Sequence, residues 1–366
     1  MLDTLAAIGA RPSGTRAQRV RQSPHYRDGA FHNTVPAQAL APADSRQVMR
    51  EFRANREGRR LAGPIPVATP AATAAVDGLH VTWLGHATAL VEIEGRRVLV
   101  DPLWSDRCSP LASVGPRRLH AMPMRLTDLP RLDAIVISHD HYDHLDMPTV
   151  RALNRQQSAP FLVPLGVGAH LERWGVRDDR IVELDWDESA KVAGLTLTAT
   201  EAQHFSGRLV RRNGTLWSSW VVAGESHRMF YTGDSGYFDG YAGIGDRHGP
   251  FDATLVQIGA YNHAWPDIHM FPEEGVRAHV KLRGGLLIPV HWGTFHLAPH
   301  PWAEPIDRLV AEATAAGVRF AVPRPGDRVD ASAPPAVRPS SASRPGPRPG
   351  CRCGATRPGR CRSRST

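Results

Sequence analysis

The chain reads as an α/β fold in which two mixed β-sheets are flanked by helices. Three observations predict it. Short apolar or alternating runs of strand length recur between residues 79 and 322. Single helical stretches separate them in groups, the pattern of sheets covered by helices on their outer faces. Bursts of His and Asp fall just beyond several runs, where loops carry chemistry.

Taken in order, residues 1–60 are Arg-rich with scattered apolar positions and read as a basic arm packed on the domain with a frayed start. Helix formers dominate from Ser45 to Arg60, and Pro64 and Pro66 end any helix there. The body, 61–330, opens with LHVTWL (79–84), ALVEIE (89–94) and RRVLVD (96–101), a predicted antiparallel meander with Glu94-Gly95 as a tight turn. AIVIS (134–138) is a buried strand. The helix after it runs from Met147 to Gln157, with Asp146 as N-cap and Pro148 in its first turn. PFLVP (160–164), a short helix over 167–174, and strands near 180–184, 194–200, 216–223 and 227–232 follow. TLVQIG (254–259) is another buried strand; a helix spans 272–283, then LLIPV (286–290). A last helix, Pro305 to Ala316, precedes a last strand, VRFAV (318–322). Residues 331–366 are Pro, Ser, Arg and Gly with little to bury, so disorder is expected.

Charge is unevenly placed. The formal net charge is +8, but the tail alone holds eight Arg and no acid, and residues 1–60 carry eleven Arg against five acids. The segment 61–330 is net acidic, with 25 basic and 31 acidic residues. The basic total therefore gives no ground for a nucleic-acid-binding face on the folded part. No run approaches the ~18 apolar residues of a membrane span, and the first residues lack the pattern of a secretory signal. Of four Cys, only Cys108 lies in the body; Cys351, Cys353 and Cys361 sit in the tail. That usage fits a reducing cytoplasm.

The strongest chemical signal is Ser138-His139-Asp140-His141-Tyr142-Asp143-His144, directly after a buried strand. Strand alternation lets His139 and His141 point the same way, and the turn lets Asp143 and His144 face a second centre. Imidazole with carboxylate is nitrogen and oxygen chemistry that suits zinc. Three more ligand-type residues follow predicted strands among small residues: His204 in QHFSG, Asp234 in TGDSG and His291 in HWGT. Their shared placement at strand ends marks seven residues for a pair of metal ions.

These segments resemble the metallo-β-lactamase superfamily, and within it the chain is most similar to the N-acylphosphatidylethanolamine-hydrolysing phospholipase D family and its bacterial relatives. GPRRLHAMPMRLTDLPRLDAIVISHDHYDHLD, AQHFSGR, FLVPLG, ELDW, GDSGY, IGAY and HWGTF carry the likeness, over roughly residues 25–325. The resemblance implies an αββα sandwich with two Zn2+ per chain. His139, His141 and His204 would hold one; Asp143, His144 and His291 the other; Asp234 would bridge. It implies a metal-bridging hydroxide that attacks a phosphodiester, with Asp143 and Asp234 as the catalytic carboxylates. Tyr142 and His269 match substrate-contact positions, whereas His86 and Asp101 would orient ligands from behind. His141 stands where an iron-based oxidoreductase branch carries Glu.

The expected activity is a phosphodiesterase of phospholipase D type on N-acylphosphatidylethanolamine-like lipids, with peripheral membrane contact through the basic start. Alternatives are a lactonase or nuclease-type phosphodiesterase of the same fold, or a non-catalytic metal- or polyanion-binding protein. Oligomeric state is not legible.

Overall fold

The computed structural model describes residues 2–38, 45–70, 77–209 and 211–334. The tail after 334, with its expected disorder and three Cys, lies outside the described residues. Two sheets face each other. The first runs, in spatial order, Arg328–Asp330, Leu79–Gly85, Thr88–Ile93, Arg96–Val100, Ala134–Val136, Phe161–Pro164 and Ile181–Leu184. The second runs Gly284–Val290, Phe251–Gln257, Arg228–Tyr231, Ser219–Ala223, Leu195–Thr200 and Ser189–Val192. Both are mixed. The meander 79–100 is antiparallel as expected, and the strands after it join in parallel. The second sheet likewise has a parallel edge and an antiparallel remainder.

Period-two alternation sorts the side chains into layers. Val98 and Val100 point between the sheets with Trp83, Val91, Leu197, Trp220, Val222, Tyr231, Leu255 and Ile288. Leu99, Ile135, Phe161 and Val163 point the other way, onto Val150 and Leu153 of the helix Met147–Gln156. That helix starts as its sequence requires, with the Asp146 carboxylate accepting from Thr149 N. On the far side Phe230, Phe251, Val256 and Leu287 are covered by helices Gly240–His248, Pro272–Lys281 and Glu304–Ala315. The result is the αββα sandwich.

Two expectations need correction. The last predicted strand, 318–322, makes only a single bridge, Phe320 to Leu287, and Pro323 and Pro325 prevent a longer ladder. The closing strand is instead Arg328–Asp330, antiparallel on Leu79–Gly85. The helix starting at Ser45 stops at Ala54, well before Arg60. Beyond it, Gly58 sits against Pro301, where an added Cβ would come within 3.0 Å of the ring, and its carbonyl accepts from Trp302 N. Helices Leu2–Ala7 and Gly14–Gln22, the ribbon Tyr26–Arg27/Ala30–Phe31 and the edge strand Ser189–Val192 carry little apolar periodicity and escape a sequence reading. Among the described residues no helix is long and apolar enough to cross a membrane.

Candidate metal centre

Six strands deliver this centre, each from its carboxyl end. His86 follows Leu79–Gly85, Asp101 follows Arg96–Val100, and the loop 139–144 follows Ala134–Val136. From the other sheet, His204 follows Leu195–Thr200, Asp234 follows Arg228–Tyr231 and His291 follows Gly284–Val290. The crevice at these ends is where open α/β sheets present ligand sites. His86, Asp101 and His291 hold φ values of 53°, 38° and 64°, a left-handed conformation that costs roughly 1–3 kcal/mol for a side-chain-bearing residue. Hydrogen bonds hold two of them there: His86 N donates to Thr294 Oγ1 (2.7 Å), and His291 N and Trp83 Nε1 both donate to His86 O (2.8 Å). Gly233 is glycine for space as well as conformation, since a Cβ there would lie 2.8 Å from Ser138 Cβ.

All seven residues converge, in two groups. In the first, His139 Nε2 lies 2.8 Å from His141 Nδ1, which lies 3.3 Å from His204 Nε2. In the second, His291 Nε2 lies 3.3 Å and His144 Nε2 3.5 Å from Asp143 Oδ2. Asp234 Oδ2 stands between them, 3.1 Å from His291 Nε2, 3.2 Å from His144 Nε2, 3.9 Å from His204 Nε2 and 4.0 Å from His139 Nε2. Bonds of ~2.0–2.1 Å in a tetrahedron set ligand atoms about 3.3 Å apart, and these separations scatter around that spacing.

Partners behind three of the rings decide which nitrogen faces inward. His144 Nδ1 donates to Asp101 Oδ2 (2.6 Å) and His204 Nδ1 to the Ile268 carbonyl (2.9 Å). Ser138 Oγ gives its proton to Asp101 and accepts from His139 Nδ1 (2.9 Å). The Nε2 atoms of His139, His144 and His204 thus face inward, toward one another or toward carboxylates. His144 Nε2 and Asp234 Oδ1 are buried with no hydrogen-bond partner. Buried nitrogens held against anionic oxygens need a cation between them, a proton or a metal ion, and the donor set fits a metal.

Electrostatics divides the two groups. Burial, reinforced by neighbouring imidazoles, holds His139 well below the usual histidine range; burial does the same to His204. In the other group burial opposes charge, but Asp234 and Asp143 overcome it, holding His144 well above the ordinary range and His291 at about 9. Asp143 and Asp234 sit well below the carboxylate range: burial pushes them up, yet the surrounding histidines outweigh it.

The orienting residues expected from sequence are where they would act. Asp101 is buried and accepts from Ser138, His144 and the Tyr231 hydroxyl. His86 Nε2 meets Asp143 Oδ2 at 2.9 Å, close enough to count among the atoms around the second position. His269 Nε2 lies 3.9 Å from Asp234 Oδ2, with burial pushing this imidazole down to about 4. Tyr142 has a different neighbour: its ring covers the Arg208 guanidinium at 4.0 Å. Asp140, His170, Phe205 and Arg208 escaped the sequence reading. Phe205 stacks edge-on against His141 at 4.5 Å. Only the Arg in AQHFSGR was a visible signal, and nothing local tied it to this loop.

The profile of the family described as a beta-lactamase superfamily domain matches residues 96–292, more than half of the chain. The chain belongs to this superfamily. Within the β-lactamase superfamily it is 56% identical over 342 residues to an uncharacterised protein of Mycobacterium tuberculosis, covering 92% of each chain. It is 41% identical over 245 residues to N-acyl-phosphatidylethanolamine-hydrolyzing phospholipase D 1 of Caenorhabditis elegans, covering 63% of this chain and 69% of that one. Among solved structures, an isothiocyanate hydrolase from Delia radicum gut bacteria superposes with a TM-score of 0.55 at 21% identity, covering 68% of this chain and 98% of its own. At that identity the likeness speaks for the metallo-β-lactamase fold alone. Together the superfamily match and the phospholipase relatives make the protein a metal-dependent hydrolase.

Proposed function

We propose that this β-lactamase superfamily member is a binuclear zinc phosphodiesterase of phospholipase D type, acting on N-acylphosphatidylethanolamine-like lipids. The observation that carries the reading is the pair of ligand groups sharing Asp234, in a chain similar to a phospholipase D of that specificity. His139, His141 and His204 would hold one Zn2+, Asp143, His144 and His291 the other, with Asp234 between. Nitrogen and oxygen donors without thiolate suit zinc. When bound, two such cations supply charge neutralisation at a phosphoryl oxygen and a water that ionises near neutral pH.

The side chains have separable roles. Asp143 Oδ2, ionised and held by His86, is placed to orient the attacking water and take its proton. His269, neutral at pH 7, serves as a hydrogen-bond partner for a phosphoryl oxygen beside Asp234. Tyr142 takes part at the rim, with its ring set by Arg208. Residues 61–330 form the hydrolase domain and 1–60 a basic arm on it.

The arm also supports peripheral contact with a lipid surface. Helix Ser45–Ala54 packs through Val48 in a cluster with Ile268, next to His269. It exposes Arg46, Met49, Arg50 and Arg53 on one side, and basic residues near anionic headgroups contribute about 1 kcal/mol each. Elemental analysis of purified protein, with hydrolysis of N-acylphosphatidylethanolamine, bis-(p-nitrophenyl) phosphate and simple lactones, tests the reading. Two zinc per chain and preferred release of the headgroup alcohol, an N-acylethanolamine, with the phosphate left on the lipid, are expected; a lactone as the preferred substrate would overturn it.

A further inference from the structure

The loop 139–144 is held from behind by a network that the metal centre itself does not use. Arg208 is buried, and its NH1 donates to the carbonyls of Asp140 (2.6 Å) and Leu145 (2.9 Å). Those two carbonyls bracket His141, Asp143 and His144. The Asp140 carboxylate, buried between two candidate ligands, accepts from Gly207 N (2.7 Å) and His170 Nε2 (3.2 Å). Gly207 lies on the segment that carries His204, so one carboxylate ties two ligand-bearing segments together.

Both cationic or donor side chains are anchored in turn by the first residues of the chain. Arg208 Nε (2.9 Å) and NH2 (2.8 Å) donate to Ala7 O. Ala10 N donates to His170 Nδ1 at 2.8 Å, which leaves the ring proton on Nε2, aimed at Asp140. Trp174 Nε1 donates to Ala6 O (2.7 Å) while its ring stacks on His170. Gly9, at φ +90°, makes the close approach possible: a Cβ there would lie 2.1 Å from His170 Nδ1. Residues 6–10 therefore fill the hydrogen-bonding needs of three side chains, two of which grip the loop.

We infer that residues 6–10, through the positioning residues His170 and Arg208, form a brace that sets the metal-binding loop, so that this segment supports the metal centre from behind. The inference rests on the metal centre proposed above. Residues that orient ligands from behind typically change metal affinity by ~10–100-fold when lost. Residues 6–10 lie well outside the segment 96–292 that defines the superfamily match, whereas His170 and Arg208 lie inside it.

The test uses full-length protein loaded with cobalt(II), reading its visible ligand-field spectrum and its release rate into excess chelator. Gly9→Ala and His170→Ala are expected to shift the spectrum and speed release by at least about tenfold. Val329→Ala, in the edge strand Arg328–Asp330, is the control: it should lower the unfolding temperature while leaving both readouts alone. Should His170→Ala fail to fold, Gly9→Ala, which adds one methyl group, decides alone. Normal cobalt uptake with unchanged spectrum and release in Gly9→Ala overturns the brace and spares the metal centre, as does an equal effect in Val329→Ala. Failure of the wild-type protein to take up cobalt overturns both.

Discussion

The two halves of the centre are built on opposite electrostatic plans. His139, His141 and His204 face one another through bare nitrogens with no carboxylate of their own, and burial keeps His139 and His204 neutral. His144 and His291 face Asp143 and Asp234, so without metal a proton fills the place of the cation. The three-histidine half is thus ready for metal but unpaid for in its absence, whereas the carboxylate half is internally neutralised and must give up protons to bind. Among the described residues, Asp234 is the one whose carboxylate stands between both groups.

The largest effect should come from removing that shared residue. Asp234→Asn is expected to abolish binding at both positions and cut hydrolysis by more than about a hundredfold, beyond the ~10–100-fold typical of a residue behind a ligand; elemental analysis and turnover check it. His139→Ala separates the halves: metal content should fall from two to one per chain, and under the proposed two-cation chemistry hydrolysis should be lost. A content of two in this variant would show that the three-histidine half is not a site.

Asp101→Asn comes next. It removes the charged acceptor that backs His144 directly and His139 only through Ser138, so affinity at the carboxylate half should drop ~10–100-fold while the other half changes less; stepwise chelator titration resolves the two. The pH dependence should split the same way. His291, held at about 9 by Asp234 and Asp143 against burial, is protonated at neutral pH in metal-free protein. Metal must displace that proton, so affinity of this half should rise with pH up to about 9. The three-histidine half, already neutral, should titrate more weakly over that interval; metal-binding isotherms at successive pH values show which half moves.

The smallest effect concerns stability away from the centre. His279 is buried, bonded through Nδ1 to Thr254 Oγ1, and burial pushes it down to about 4. Its unfolded counterpart takes up a proton near 6.5, so the unfolded state binds more protons between these values. Stability should be full above that range and fall as pH drops toward 4, by about 3 kcal/mol at most. Thermal unfolding of His279→Gln against wild type should show a shallower loss over this interval.

Much of this could be read from the chain because the signals are local. Val98, Leu99 and Val100 alternate with the strand's own period, so their layers follow from sequence. Asp146 caps the helix three residues before Thr149, a contact set by adjacent positions. The segment 318–322 misled because an apolar run states only that it is buried; whether its backbone finds a partner depends on Leu287 and on the prolines that follow. Tyr142 shows the same limit, since its neighbour Arg208 comes from another sheet's loop.

Sequence alone determined the ligand types and the strand ends that would present them, because side-chain chemistry and backbone periodicity are properties of neighbouring residues. Only the tertiary structure decided which nitrogen of each imidazole turns inward, that Asp234 stands between two groups, and that Ala7 and Ala10 reach the loop through Arg208 and His170. Those outcomes depend on acceptors and donors far apart along the chain. Burial leaves such groups no water to bond, so each must find its partner in the folded protein.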